Sequence, residues 1–169
     1  MKNTTRNLLI FSGVVVFVAG LFWLASTSEE SDSKAVEYSQ GSLAGSGQSF
    51  NFGTIDMQDG DVVHEFEIKN ESVEPVLITK AYTSCMCTVA YIYDAEGKEY
   101  GAFGMLGHGR LPALNATVEP GETVIVKAVF DPAAHGPSGV GLADRVIYIE
   151  TNSAQSPKME LSFRAMVTR

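Results

Sequence analysis

The sequence has few of the residues that zinc sites, disulfide frameworks and nucleic-acid surfaces require. Its 169 residues include only two cysteines and three histidines, so a four-ligand zinc site would need nearly all of them to converge. Twelve basic residues against twenty acidic ones give a net charge of −8. That sign is wrong for a surface that neutralises phosphates, and we therefore expect no nucleic-acid partner.

Sequence motifs of enzymes are also missing. The chain has no nucleophile motif G-x-S-x-G, no zinc-protease motif H-E-x-x-H and no glycine-rich phosphate loop. We therefore expect a non-enzymatic protein with no catalytic residues, and no cofactor other than the candidate copper ion considered below.

One long segment lacks charge altogether. Residues 8–25 are 18 uncharged, mostly apolar residues, which as a helix would span roughly 27 Å, close to the thickness of a bilayer core. Lys2 and Arg6 precede the segment and acidic residues follow it, so the positive-inside rule places residues 1–7 in the cytoplasm. Because the segment is long for a cleaved signal peptide, we expect residues 8–26 to be a retained transmembrane anchor.

This anchor would make the chain a single-pass membrane protein, in contact with the lipid bilayer, whose C-terminal part is periplasmic or extracellular. Small residues let helices approach closely in lipid. The predicted helix-packing residues are therefore Ser12, Gly13, Ala19 and Gly20. Residues 27–48 are rich in serine, glycine and charge and have no apolar periodicity, which predicts a flexible tether. The folded domain is then residues 49–169.

The sequence of the predicted exported domain indicates strands separated by turns. In residues 159–167 the apolar side chains alternate with Glu160, Ser162 and Arg164, as in a strand with one buried face. Six other short runs rich in β-formers lie between turn signals, and they are 50–55, 63–69, 76–83, 88–93, 123–130 and 145–150. Seven strands of this kind predict an all-β, immunoglobulin-like antiparallel β-sandwich. The only tryptophan, Trp23, lies in the predicted anchor, so an antibody-type core is excluded.

Several segments match, in order, the pattern of a bacterial envelope family, the domain of unknown function DUF1573. The matching segments are 50–55 (FNFGTI), 60–70 (GDVVHEFEIKN), 75–78 (PVLI), 83–88 (TSCMCT), 119–122 (EPGE), 129–132 (VFDP) and 149–153 (IETNS). This resemblance implies an exported immunoglobulin-like sandwich, similar to pilus-chaperone and sperm-protein domains, with no established catalytic activity. The sequence departs from the family at Met86, where glycine is common, and in the longer segment 94–117.

The pair Cys85 and Cys87 is the main chemical signal. In an extended strand residues i and i+2 share a face with their Cα atoms roughly 6.5–7 Å apart, at the outer limit for a disulfide. Three interpretations remain open: a disulfide or a pair of buried small residues, thiol exchange, and a soft-metal site for Cu(I). The metal hypothesis takes Cys85, Cys87, Met105 and His108 as ligands, with Met86, His64 and His135 as further donors. His135 is otherwise a solvated turn residue, and His64 a half-buried structural one.

The segment 94–117 is the predicted partner-binding surface, because apolar residues that dense in a glycine-rich loop need a partner or a core. The residues concerned are Tyr100, Phe103, Met105, Leu106, Leu111 and Leu114. The sequence thus predicts a non-enzymatic, membrane-anchored extracytoplasmic binding module that contacts other membrane or envelope proteins, as an accessory or scaffolding subunit of a larger complex. The alternative is an envelope copper-binding or thiol-redox protein that uses the cysteine pair.

Overall fold

The computed structural model describes residues 38–169. The predicted anchor at 8–26, its packing residues Ser12, Gly13, Ala19 and Gly20, and tether residues 27–37 lie outside this range. Within residues 38–169, no helix has the length and apolar character needed to cross a membrane.

Residues 38–169 form ten strands and one short 3-10 helix, Gly136–Gly139. The strands are β1 Leu43–Ser46, β2 Ser49–Asp56, β3 Val62–Asn70, β4 Val76–Thr83, β5 Thr88–Tyr93, β6 Glu99–Phe103, β7 Ala116–Val118, β8 Thr123–Phe130, β9 Gly141–Thr151 and β10 Lys158–Thr168. The all-β prediction is confirmed for these residues.

The strands make a sandwich of two five-stranded sheets. Sheet one has the order β1-β3-β8-β5-β6 and sheet two the order β2-β10-β9-β4-β7. In β5, β8 and β10 every second side chain is buried between the sheets. In β10 the buried residues are Met159, Leu161, Phe163, Ala165 and Val167, the five that the period-two pattern assigned to the core.

One pair of strands departs from the predicted antiparallel arrangement. β2 pairs with β10 in parallel, and the register shifts by one residue between Arg164 and Met166. Gly53, on the β2 side of this shift, has φ +72°, a conformation that glycine adopts without strain and that accompanies a bulge. β2 and β10 come from opposite ends of the domain, so no hairpin turn forces them to run antiparallel.

The folded domain also begins earlier than predicted. β1 pairs antiparallel with β3, from Leu43 opposite Asn70 to Ser46 opposite Glu67, and Leu43 is 6% exposed in the core. Ser39 forms an isolated bridge with Ser153. The prediction that residues up to 48 form a flexible tether is therefore wrong for residues 38–48, because their backbone is paired with the sandwich.

The segment 94–117 contains two strands that the sequence did not predict. β6 pairs with β5, and β7 pairs with β4, so these strands form one edge of each sheet. Phe103 of β6, at 0% exposure, and Leu114, which lies just before β7 and is 4% exposed, complete the core. Part of the segment therefore packs against its own domain, while most of its other residues are exposed.

Candidate metal site at one end of the sandwich

The two cysteines lie where the chain crosses from one sheet to the other. β4 of sheet two ends at Thr83 and β5 of sheet one begins at Thr88. The backbone N–H of Thr88 donates a hydrogen bond to the carbonyl of Cys85 over 3.2 Å. The cysteines are thus in a turn, and the prediction that they share one face of an extended strand is wrong. The crossing between sheets requires a reversal that an extended backbone cannot make.

Hydrogen bonds from three directions hold this turn. The Thr83 hydroxyl lies 2.9 Å from the carbonyl oxygen of Cys85 and 3.0 Å from that of Thr88. The N–H of Asp131 donates to the carbonyl of Cys87 over 2.9 Å. The N–H of Ser84 donates to the carbonyl of Val146 on β9 over 2.9 Å. The sulfurs therefore sit on a fixed backbone, although they lie outside a strand.

His135 reaches the site from the connection between β8 and β9. Asp131 orders the start of that connection, because its carboxylate accepts a hydrogen bond from the N–H of Ala133 at 2.7 Å. The N–H of Gly136 then donates to the carbonyl of Ala133 at 2.7 Å. This fold of the chain brings His135 Nε2 to 3.2 Å from Cys85 Sγ.

Arg145 approaches the same site from β9. Its Nε–H donates to Cys87 Sγ over 3.0 Å, and its guanidinium carbon lies 5.9 Å from the centre of the Phe130 ring. Cys87 is 3% exposed and Cys85 is half-buried. The site thus joins two thiols, an imidazole and a guanidinium.

Three of these groups could ligate a metal ion. The ligand atoms of Cys85, Cys87 and His135 all lie within 4.8 Å of one another. Both cysteines are free thiols, and the histidine is exposed, so an ion can reach the group from solvent. Two sulfurs and one imidazole nitrogen are a donor set that soft metals such as Cu(I) prefer.

The two thiols titrate differently. Burial raises the pKa of Cys85, but hydrogen bonds from the side chain and backbone of Cys87, the contact with His135 and the charge of Arg145 together lower that pKa to about 7. Burial and the hydrogen bond to Cys85 raise the pKa of Cys87, although Arg145 opposes this. The geometry therefore favours a state in which Cys85 carries the negative charge and Cys87 keeps its proton.

The predicted ligands are only partly brought together. Cys85 and Cys87 belong to the group, whereas His108 is exposed and not part of it. Met105 forms a backbone bridge with Thr83, two residues before Cys85. His135, one of the further donors of the metal hypothesis, is exposed in a turn as predicted, and it belongs to the group through its contact with Cys85. His64 is half-buried as predicted and stacks on Phe50, with ring centres 3.6 Å apart.

Two of the six residues predicted to bind a partner are internal. Phe103 and Leu114 are buried in the core, and Tyr100 packs against it. Phe103 and Leu114 are a correction to the prediction, because their side chains fill the space between the sheets, whereas Tyr100 is only half-buried. Met105 and Leu111 are half-buried. Leu106, at 45% exposure, is the most exposed of the six.

The sequence analysis missed Arg145, although a signal for it was present. Arg145 was predicted to begin a strand, in which it alternates with Ile147 and Ile149 on the buried face. A charged residue at an inward position requires a partner. Here that partner is the sulfur of Cys87.

One family model matches part of the described domain. Residues 43–101 match the family model DUF1573, a protein of unknown function. The DUF1573 match confirms the resemblance predicted from the motifs. It includes both cysteines and ends before His135 and Arg145.

Comparison with solved structures finds a similar fold in a bacterial protein. A protein of unknown function from Porphyromonas gingivalis W83 is similar over 80% of this chain and 51% of that one, with a TM-score of 0.55 and 18% identity. The chain thus spans about half the length of that protein. PapD-like domain 7 of human CEP192 aligns with 75% of this chain and 85% of that one, at a TM-score of 0.44 and 14% identity. No curated protein sequence matches the chain.

Proposed function

We propose that this chain is a non-enzymatic envelope module that binds copper(I) through Cys85, Cys87 and His135. The observation that carries the proposal is the convergence of their ligand atoms within 4.8 Å on two structured connections. Thiolates are ligands that select Cu(I) among the first-row metals. Structural zinc sites, in contrast, are almost always four-coordinate, and this group supplies three ligand atoms.

The placement of the site supports binding rather than buried structural use. Cys87 is inside the sandwich and Cys85 is half-buried, while His135 faces solvent. An ion held by this group would bridge the β4–β5 turn and the β8–β9 connection. These residues are ready to accept an ion from outside without unfolding the core.

The proposal extends to location and partners. The uncharged residues 8–25 and the flanking charges support an anchor that holds the domain on the periplasmic or extracellular side. A copper-binding domain held there would act next to other envelope proteins, as an accessory subunit of a membrane complex. The absence of enzyme motifs in the sequence supports a role in binding rather than catalysis.

Copper titration of the full-length chain in mild detergent tests the proposal. The reduced protein should compete with the chelator bathocuproine for one equivalent of Cu(I). Loss of an outer partner of a metal ligand already costs about 10–100-fold in affinity, so Cys85→Ser, Cys87→Ser and His135→Ala should each lose at least that much.

His108→Ala is the matched control, because His108 is an exposed histidine outside the group. It should bind copper as the wild type does, and circular dichroism should show that all variants are folded. Equal copper binding by the wild type and the two cysteine variants would refute the proposal.

Thiol exchange is a second candidate function, and one observation favours it. Both cysteines are free thiols. Burial raises the pKa of Cys85, but Cys87, His135 and Arg145 together lower that pKa to about 7. A thiol with this pKa is about half thiolate at pH 7, and the thiolate is the nucleophilic form. Failure to bind copper, together with selective reaction of Cys85, would favour this candidate.

A further inference from the structure

Arg145 occupies a position where a charge is costly. It lies on β9 between Ala143 and Ile147, which are 2% and 0% exposed and point into the core. Arg145 shares their face of the strand, at the end of the sandwich, and is itself half-buried. A guanidinium placed there loses hydration and needs a compensating negative group.

That compensation does not come from a carboxylate. None of the ion pairs formed by residues 38–169 includes Arg145, and the carboxylate of neighbouring Asp144 pairs with Arg164 at 2.9 Å. The polar partners of Arg145 are the backbone carbonyl of Asp144, at 2.9 Å from Nη1, and Cys87 Sγ, at 3.0 Å from Nε. The cysteine pair is therefore the group that can neutralise this arginine.

The charges of the filled site follow from its members. Metal binding deprotonates both cysteines and uses a neutral imidazole, so the ligands contribute −2 and Arg145 contributes +1. A monovalent ion makes the sum zero. A divalent ion leaves an excess of +1 in a place where Cys87 is 3% exposed, and an uncompensated charge in such surroundings is unfavourable.

We propose that Arg145 determines metal selectivity, making the Cys85, Cys87 and His135 site prefer a monovalent soft ion, Cu(I), over divalent ions such as Zn²⁺. This inference rests on the proposed function. Arg145 acts on the ion through its charge and through Cys87, and it is not itself a ligand.

The test compares two affinities of one protein. The arginine stabilises the thiolates equally for either ion, but it repels a divalent ion twice as strongly as a monovalent one. Loss of the arginine charge therefore changes the ratio of the Cu(I) and Zn²⁺ dissociation constants, even if both affinities also change by a common factor. For unit charges about 6 Å apart at an effective dielectric constant of about 20, the expected change is on the order of 10- to 100-fold.

We would measure Cu(I) binding against bathocuproine and Zn²⁺ binding against a chromophoric zinc chelator, using the full-length chain in detergent. Arg145→Gln should shift the preference toward zinc by at least about 10-fold. Arg145→Lys, which keeps the charge, should stay near the wild-type ratio. Arg164→Gln removes an exposed arginine paired with Asp144 and should leave the ratio unchanged.

The outcomes separate this inference from the proposed function. If the wild type binds Cu(I) but Arg145→Gln keeps the wild-type ratio, or Arg145→Lys shifts as much as Arg145→Gln, the selectivity role is overturned while the copper site stands. If the wild type does not bind Cu(I) through its cysteines, the proposed function itself fails. Circular dichroism and thermal melting confirm that each variant compared is folded.

Discussion

At the scale of single residues, the two thiols of the candidate site are chemically unequal although they are two positions apart. Cys87 donates hydrogen bonds to Cys85 from its thiol and from its backbone N–H. The backbone nitrogen of Cys87 lies 3.5 Å from Cys85 Sγ. These contacts stabilise a negative charge on Cys85, whereas the same charge and burial disfavour a second one on Cys87. The pair therefore behaves as one unit with its first proton lost from Cys85.

This inequality predicts a pH profile for alkylation of the metal-free protein. The pKa of Cys85 is about 7, because Cys87, His135 and Arg145 outweigh the opposing effect of burial. The thiolate is the reactive form, so its reaction with iodoacetamide should rise with pH and reach half its maximal rate near pH 7. Cys87, whose pKa is raised by burial and by Cys85, should react only at higher pH.

Peptide mass spectrometry after short alkylation pulses measures each cysteine separately. His135→Ala removes one of the contacts that lower the pKa of Cys85, so its profile should move to higher pH, whereas His108→Ala should leave the profile unchanged. Identical pH profiles for Cys85 and Cys87 in the wild type would contradict this prediction.

The sequence predicted the cysteines as the reactive centre and included His135 among the further donors, but it gave no role to Arg145. His108 was preferred because it lies in a flexible glycine-rich loop, yet His135 is brought to Cys85 by a turn that Asp131 orders. Which of two loop histidines reaches a site depends on where two sheet-to-sheet connections meet. That depends on strand order, which period-two alternation does not determine.

At the scale of elements, β1 is a strand that the composition of its sequence did not predict. Its sequence, Leu-Ala-Gly-Ser, lies in a serine- and glycine-rich segment that resembles a linker. β1 nevertheless pairs with β3 over four residues and places Leu43 in the core. At the edge of an existing sheet, one buried apolar side chain and the backbone hydrogen bonds to the neighbouring strand are enough to hold a short strand in place.

Replacement of Leu43 distinguishes a packed strand from a tether. Leu43→Ala removes a side chain that is 6% exposed, and such truncations cost about 2–5 kcal/mol. We expect the lower end, about 2 kcal/mol, because β1 is an edge strand. Urea unfolding followed by tyrosine fluorescence gives the change in unfolding free energy.

Leu106→Ala provides the same chemical change at a side chain that is 45% exposed. Surface substitutions usually change the free energy of unfolding by no more than about 0.5 kcal/mol, so the effect of Leu106→Ala should be small. A tether at residues 27–48 would make both substitutions equally harmless, and this outcome would contradict the pairing of β1.

The other strands show where sequence patterns are sufficient. β4, β5 and β8 were predicted with the bounds that the structure gives them, because their β-branched residues alternate between clear turn signals. β6 and β7 were missed because Gly101, Gly104, Gly107 and Gly109 dilute the apolar pattern around them. Phe103 and Leu114 consequently resembled exposed apolar residues of a loop, although Phe103 ends β6 and both side chains are buried in the core.

At the scale of the whole molecule, the charges divide the chain into two chemically different parts. All twenty acidic residues follow position 26, with ten of the twelve basic ones, so residues 27–169 carry 10 − 20 = −10. Residues 8–25 carry no charge. The acidic part should stay away from anionic lipid, and any attachment to a membrane should depend on the first 26 residues alone.

Removal of residues 1–26 tests whether they alone attach the chain to a membrane. Full-length chain expressed in bacteria should remain in the membrane pellet after alkaline carbonate extraction, since about 18 apolar residues span a bilayer core. A version that begins with a new methionine before Thr27 should be soluble, because the paired residues that begin at Ser39 are retained.

The truncated chain should still bind one equivalent of Cu(I), because the three proposed ligands and Arg145 all lie within residues 38–169. Release of the full-length chain by carbonate would contradict the anchor and leave the copper site untouched. Loss of copper binding on truncation, with circular dichroism unchanged, would show instead that a group within residues 1–26 takes part in the site.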